Sequence, residues 1–212
     1  MKGKETEHKS AIRAILFDFG GVLAEDGFQE GIYVLARQQE LNPAVVHRAA
    51  FEAVYDSGYV VGRGTEADFF RLLRQKTGLN GEDNTLREAM LSRFVLRPRM
   101  LAIVLTLRQQ GYIAAILSDQ TDWLDQIDSK VHFFQEFDKV YNSFHLGKGK
   151  RDPSLFDDVI DDLHLLPQQA LFVDNDPVNA TLARSRGLKT LVFKDEAQFK
   201  IDLGNIVSHQ IR

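Results

Sequence analysis

Asp18 is the residue of this sequence best placed to do chemistry. It ends a short apolar run and lies just before two glycines in AILFDFGGVL, residues 14–23. A buried parallel strand presents a reactive side chain in this way, at its C-terminal edge and beside a turn. A carboxylate there can act as a nucleophile or as a metal ligand. The pattern therefore predicts a reactive carboxylate at residue 18.

Polar side chains also follow three later apolar runs. Ser118 ends YIAAILS and precedes Asp119, Lys150 lies in LGKGKRDPSLF, and Asp174 ends ALFVD. The carboxyl ends of parallel strands meet in one crevice, so we expect these side chains to converge on Asp18.

Such a set suits phosphoryl chemistry. Asp18 and Asp174 can hold one Mg²⁺, a hard cation that prefers oxygen ligands. Lys150 and the metal would offset the charge of a phosphate, and Ser118 with nearby backbone N–H groups would bind its oxygens.

The elements that must position these residues are short strands alternating with helices. The predicted strands are Ala14–Phe17, Tyr112–Leu117, Lys139–Tyr141, Ala170–Val173 and Thr190–Phe193. The predicted crossover helices are Arg99–Gln110, Ser154–Leu163 and Pro177–Arg186. This alternation predicts an α/β fold with a doubly wound parallel sheet. Gly111 and Gly187 are expected at helix C-termini, where a left-handed residue is favoured.

Residues 25–98 interrupt this alternation. They contain no clear strand but four amphipathic helical stretches, namely Gln29–Glu40, Pro43–Val54, Glu66–Lys76 and Leu86–Val95. A crossover needs only about a dozen residues, so we expect an inserted α-helical cap at 25–98 on a core of 1–24 and 99–212. Helices inserted just after Asp18 would cover the reactive edge and exclude water. Glu25 and Asp26, which open the insertion, are expected to be solvated charges.

Composition narrows the possible partners and location. The chain has 212 residues, a net charge of −4 and no cysteine, which argues against nucleic acid, anionic membrane and thiolate chemistry. The first ten residues are polar and lack the apolar core of a signal peptide. No apolar stretch approaches the roughly 20 residues that span a bilayer. We expect a soluble cytoplasmic protein that acts on a small molecule.

The four motifs and their order resemble the haloacid dehalogenase superfamily, mostly Mg²⁺-dependent phosphatases, over about residues 11–199. FDFGGVL is similar to its first motif, ILSDQTD to the second, GKGKRDPSLF to the third and FVDNDPVNATLARSRGL to the fourth. The resemblance implies that Asp18 is the phosphorylated nucleophile and Lys150 a second catalytic residue. It further implies substrate binding by Ser118, Asp119 and Lys150. The resemblance also implies that Asp18, the Gly20 carbonyl and Asp174 bind magnesium.

The chain also departs from the family pattern. Gly20 stands where the family has the aspartate that serves as general acid–base, assistance worth roughly 10²–10⁴-fold in rate. Asp119 and Asp122 are candidate substitutes, although both also suit loop or cap positions. In the fourth motif Asn175 replaces an acidic residue and Asp176 follows it. Lys148 is the alternative to Lys150 as the cation.

Three functions remain open. The first is a phosphatase whose leaving group needs little protonation, as in similar sugar-1-phosphate phosphatases with an Asp-x-Gly motif. The second is a catalytically impaired protein that keeps the fold for binding or regulation. The third is a 2-haloacid dehalogenase, although such enzymes, which resemble the phosphatases, do not use the metal. A phosphomutase is disfavoured, because it requires the acid–base absent at Gly20.

Overall fold

Five parallel strands form the centre of the structure, a computed structural model that describes residues 11–208. The strands are β1 Ala14–Phe17, β2 Ile113–Ser118, β3 Lys139–Asn142, β4 Ala170–Asp174 and β5 Lys189–Val192. Their order is β3-β2-β1-β4-β5, and every pairing is parallel. The predicted parallel α/β fold is confirmed, with strand bounds shifted by one residue at several ends.

The helices fall into an inserted group and a group that covers the sheet. The inserted helices are α1 Gly27–Gln38, α2 Pro43–Asp56, α3 Glu66–Thr77 and α4 Asp83–Leu91. The others are α5 Pro98–Gln109, α6 Trp123–Val131, α7 Ser143–Leu146, α8 Ser154–Asp162, α9 Pro177–Ser185 and α10 Glu196–Ser208. The sequence analysis did not predict α6, α7 or α10. Gly111 and Gly187 both adopt φ +88°, directly after the ends of α5 and α9, as expected.

Strand residues alternate between two apolar layers. Ile15 and Phe17 pack in the layer that includes α5, α6, α10 and the inserted helices, whereas Ala14 and Leu16 pack against α8 and α9. This alternation follows from the two-residue period of a strand. Because both faces are covered, the strand ends are the places where the sheet can present polar side chains.

The chain enters and leaves the inserted helices through two adjacent segments. The Glu25 N–H donates to Val95 (2.9 Å) and the Arg97 N–H donates to Leu23 (2.8 Å), while Ala24 pairs with Leu96. Helices α1 to α4 lie within residues 25–98, where the insertion is expected, and the separation of this segment as a cap domain stays a prediction. Glu25 pairs with Arg97 (2.9 Å).

The structure tests the expectation that no helix spans a membrane, but it does not cover the segment in which a signal peptide would lie. Within residues 11–208, none of the helices combines the length and the apolar character that a membrane-spanning helix requires. The polar first ten residues, from which we predicted no signal peptide, lie outside the described residues.

Truncation of a core residue on β4 tests the packing of the sheet. Leu171 is fully buried, so Leu171→Ala should lower the free energy of unfolding by about 2–5 kcal/mol through lost burial and a cavity. Leu166→Ala is the matched control, because Leu166 is 61% exposed and its truncation should change stability by less than about 0.5 kcal/mol. Urea denaturation measures both, and equal effects would contradict this core.

Candidate active site

The predicted site residues meet at one edge of the sheet. Asp18 follows β1, Ser118 ends β2 and Asp174 ends β4, and these three strands are neighbours. Lys150 reaches them from the loop between α7 and α8. We call Asp18, Ser118, Lys150 and Asp174 the strand-end cluster.

Lys150 holds the cluster together. Its Nζ lies 2.7 Å from Asp18 Oδ1 and 2.7 Å from Asp174 Oδ2, and the residue is only 1% exposed. The Phe172 ring lies beneath the ammonium, 5.2 Å from Nζ to the ring centroid. Lys148 instead pairs with Asp158 and Ser154 at the surface. The structure therefore brings Lys150, and not Lys148, to the predicted cation position.

Asp18 is held through a single carboxylate oxygen. Its Oδ1 accepts hydrogen bonds from the Phe19 N–H (2.8 Å) and the Ser118 hydroxyl (2.6 Å), and it also contacts Lys150. Within residues 11–208 no hydrogen bond involves Oδ2. This arrangement fixes the carboxylate and leaves one oxygen available to a substrate or an ion.

Burial and mutual charge set the protonation of the cluster. The pKa of Asp18 is raised to about 7, chiefly by burial and also by the Asp174 carboxylate, against the opposing effects of Lys150 and Ser118. Burial lowers the pKa of Lys150, but the Asp174, Asp18 and Asp119 carboxylates outweigh it and hold that pKa above its usual value. Lys150 is therefore positively charged at neutral pH, and ionisation of Asp18 carries a substantial free-energy cost.

Asp174 is more enclosed than a typical metal ligand. It is fully buried, its Oδ1 accepts from the Asp176 N–H (2.7 Å), and its Oδ2 accepts from Lys150 and from Asn179 Nδ2 (3.1 Å). Among the described residues, no group of three or more histidine or acidic side chains has a metal-binding arrangement. Metal binding by Asp18, the Gly20 carbonyl and Asp174 therefore stays a prediction.

The donor set and its charge nevertheless fit a hard divalent cation. The free Asp18 Oδ2 and the Gly20 carbonyl are oxygen donors beside the same cavity. Two carboxylates and one ammonium leave an excess negative charge when Asp18 is ionised. A phosphate dianion would be repelled by that charge unless a cation offset it.

Asp119 joins the Lys150 loop to the inserted helices. Its carboxylate accepts the Lys150 N–H (2.9 Å to Oδ1) and the Tyr55 hydroxyl of α2. The Arg151 guanidinium lies over the Tyr55 ring, 3.5 Å from its centroid. Asp122 similarly accepts the hydroxyl of Tyr59. These contacts position the loop, and the substrate-binding role of Asp119 stays a prediction.

A cavity of about 670 Å³ opens in front of the cluster, between the sheet edge and α1 and α2. The insertion contributes Asp26, Phe28, Gln29, His47, Phe51 and Tyr55 to its lining. None of these aromatic residues, nor His47, was predicted as a site residue from the sequence. A substrate in this cavity would therefore touch both the catalytic edge and the inserted helices.

The fourth motif places one side chain against the first glycine turn. Gly21 has φ +82°, and a Cβ there would lie 2.5 Å from the Asn175 amide, so a side chain at 21 is excluded. Asp176 caps α9 by accepting the Val178 N–H (2.8 Å).

Comparisons with known sequences agree with this geometry. A family model described as haloacid dehalogenase-like hydrolase matches residues 12–187. D-ribitol-5-phosphate phosphatase from Bacteroides thetaiotaomicron is 26% identical over 212 residues, covering 93% of this chain and 99% of that protein. Bifunctional epoxide hydrolase 2 from Mus musculus is 23% identical over 223 residues, covering 94% of this chain and 40% of that longer enzyme.

Solved structures share the fold. A haloacid dehalogenase family enzyme from B. thetaiotaomicron, in complex with magnesium and inorganic phosphate, has a TM-score of 0.67 and 23% identity, covering 95% of this chain and 100% of that one. L-2-haloacid dehalogenase from Xanthobacter autotrophicus has a TM-score of 0.65 and 18% identity, covering 95% and 84% of the two chains. At these identities the likeness establishes the fold alone.

Removal of the buried cation should destabilise the protein strongly. Lys150→Met leaves the Asp18 and Asp174 carboxylates buried and unpaired, so we expect a loss of about 3–5 kcal/mol in the free energy of unfolding. The matched control is Lys148→Met, which breaks an ion pair with Asp158 at the surface and should cost far less stability. Denaturant unfolding distinguishes the two, and a smaller effect at 150 than at 148 would refute the proposed arrangement.

Asp18→Asn should stabilise the metal-free protein in a pH-dependent way. The folded-state pKa of Asp18, about 7, exceeds that of an unfolded aspartate, about 3.9, so its ionisation removes stability as pH rises from about 4 to about 7. The variant should therefore exceed wild type in melting temperature at pH 8, and by less at pH 4.5. Melting curves in a chelator test this, with the surface variant Asp158→Asn as control. A pH-independent difference would contradict the raised pKa.

Proposed function

Since the chain belongs to the haloacid dehalogenase-like hydrolases, we propose that it is a Mg²⁺-dependent phosphatase acting on a small phosphorylated metabolite through an aspartyl phosphate on Asp18. The observation that carries this proposal is the strand-end cluster. Its central carboxylate has three contacts on Oδ1, one of them the buried Lys150 cation at 2.7 Å, and Oδ2 has no hydrogen bond within residues 11–208. A fixed carboxylate beside a cation is the arrangement that nucleophilic attack on phosphorus requires.

Each residue of the cluster has a distinct part in this chemistry. Asp18 Oδ2 attacks phosphorus, the ester P–O bond breaks, and the electron pair leaves on the departing oxygen. Lys150 and the Ser118 hydroxyl hold the phosphoryl oxygens as negative charge moves onto them. Asp174 and Asp119 keep Lys150 in place through its ammonium and its backbone N–H. When bound, Mg²⁺ would be held by Asp18, the Gly20 carbonyl and Asp174 and would offset the phosphate charge.

The substrate we propose is a phosphorylated polyol or sugar. A cavity of about 670 Å³ suits such a molecule, and its lining combines the aromatic faces of Phe28, Phe51 and Tyr55 with polar Gln29 and His47. The D-ribitol-5-phosphate phosphatase relative supports the same class. The missing side chain at Gly20 favours substrates whose departing oxygen needs little protonation, such as the anomeric oxygen of a sugar 1-phosphate.

A substrate panel with Mg²⁺ tests the proposal. It contains ribitol 5-phosphate, several sugar 1-phosphates and the activated ester p-nitrophenyl phosphate, and we expect turnover of one or more of them. Asp18→Asn should lower kcat by more than about 10³-fold, because it removes the nucleophile. Asp158→Asn, on the surface and outside the cavity, should leave kcat/KM unchanged.

Two other results would replace the proposal. Absence of turnover on every ester, including the aryl phosphate, would favour a binding or regulatory protein. Metal-independent release of halide from 2-haloacids would instead identify a dehalogenase.

A further inference from the structure

A carboxylate from the inserted segment lies where the first motif lacks one. A Cβ built on Gly20 would have Asp26 Oδ1 at 4.0 Å and Gln120 Nε2 at 3.6 Å. Any carboxylate carried by residue 20 would therefore occupy the neighbourhood of the Asp26 carboxylate. Asp26 and Asp18 also line the same cavity.

We propose that Asp26 is the general base that activates water for hydrolysis of the aspartyl phosphate. The inference rests on the proposed function, because it assigns the second half of that reaction. It makes Asp26 a catalytic residue supplied by the inserted helices rather than by the sheet.

The two carboxylate oxygens of Asp26 have different surroundings. Asp26 is the N-cap of α1, and its Oδ1 accepts the Gln29 N–H at 3.0 Å. Within residues 11–208 no hydrogen bond involves Asp26 Oδ2. One oxygen therefore caps the helix, and the other remains for water.

Hydrolysis of the aspartyl phosphate moves one proton from water to Asp26. The water oxygen forms a bond to phosphorus while one of its protons passes to Asp26 Oδ2. The bond between phosphorus and the Asp18 oxygen breaks, and its electron pair restores the Asp18 carboxylate. Inorganic phosphate leaves, and the proton on Asp26 passes to solvent, which half-buried Asp26 can reach. In the first half-reaction the departing oxygen takes its proton from solvent, which agrees with a substrate whose leaving group needs little help.

Asp119 and Asp122, the substitutes considered from the sequence, already accept the hydroxyls of Tyr55 and Tyr59. His47 is the remaining rival for this role. It lines the same cavity and packs against the rings of Phe28, Tyr33 and Phe51. Burial lowers the pKa of His47, although Asp26 opposes that effect, so the imidazole is neutral at pH 7. A Cβ built on Gly20 has Phe94, Gln120 and Asp26 as its three nearest groups, and His47 is not among them.

Stopped-flow kinetics with p-nitrophenyl phosphate and Mg²⁺ separate the two half-reactions. Asp26→Asn keeps the helix N-cap, because asparagine caps a helix as well as aspartate does. Its amide cannot accept the proton from water. We expect a stoichiometric burst of p-nitrophenol followed by a steady state about 10²–10⁴-fold slower than wild type. Intact-protein mass spectrometry should show one added phosphoryl group. Asp26→Ser, also a good N-cap, should behave alike.

A second substitution tests the position of the base. The Gly20 backbone is not left-handed, and a Cβ there meets only ordinary contacts of 3.5 Å or more, so neither the backbone nor the first side-chain atom opposes Gly20→Asp. The double variant G20D/D26N should recover much of the steady-state rate and lose the burst. A merely structural defect at Asp26 would not be repaired in this way.

Several results would overturn the assignment. The first is a steady-state rate of D26N equal to that of wild type, and the second is a slow D26N that shows neither a burst nor a phosphoenzyme. The third is a G20D/D26N variant as slow as D26N. The fourth is a burst in His47→Gln and not in D26N. A failure of the proposed function looks different, because wild type would then turn over no phosphate ester or Asp18→Asn would retain turnover. That result would refute both proposals.

Discussion

The ammonium of Lys150, between the carboxylates of Asp18 and Asp174, is the interaction on which the site depends. Burying each of these charges alone costs several kcal/mol, so all three must be brought together by the fold. Adjacent parallel strands supply the two carboxylates in register, and a separate loop supplies the cation. Asp119 and Phe172 then hold that loop and its side chain in place. The apolar sheet thus serves as the rigid support for a charged centre.

Much of this support could be predicted from the sequence, because buried parallel strands leave a local signal. A short apolar run that ends in Asp18, Ser118 or Asp174 is visible without knowledge of the rest of the chain. Helix α6 was missed because only Trp123, Leu124 and Ile127 mark its apolar face among polar residues. The contacts of Tyr55 with Asp119 and of Tyr59 with Asp122 join residues more than 60 positions apart. They result from docking of the insertion on the core, which no local pattern encodes.

Asp26 illustrates the same limit at the site itself. In the sequence it is one of two acidic residues at the start of an insertion, where a solvated charge is the ordinary expectation. Helix α1 begins directly after it and turns its carboxylate into a cap, and this places the group over the glycine turn of the first motif. The proposed nucleophile and the proposed base therefore belong to different parts of the fold. Any movement of the insertion relative to the sheet would change the distance between them.

The paired crossing of the chain at Ala24 and Leu96 has an evolutionary consequence. Because the two ends of the inserted segment are neighbours, its length and sequence can change without straining the strands, and loop-closure entropy rises only slowly with added residues. Changes in this segment can therefore alter the cavity lining while the strand-end cluster is retained. Directed evolution of substrate range should accordingly begin with residues 27–91, and the strand ends should be left as they are.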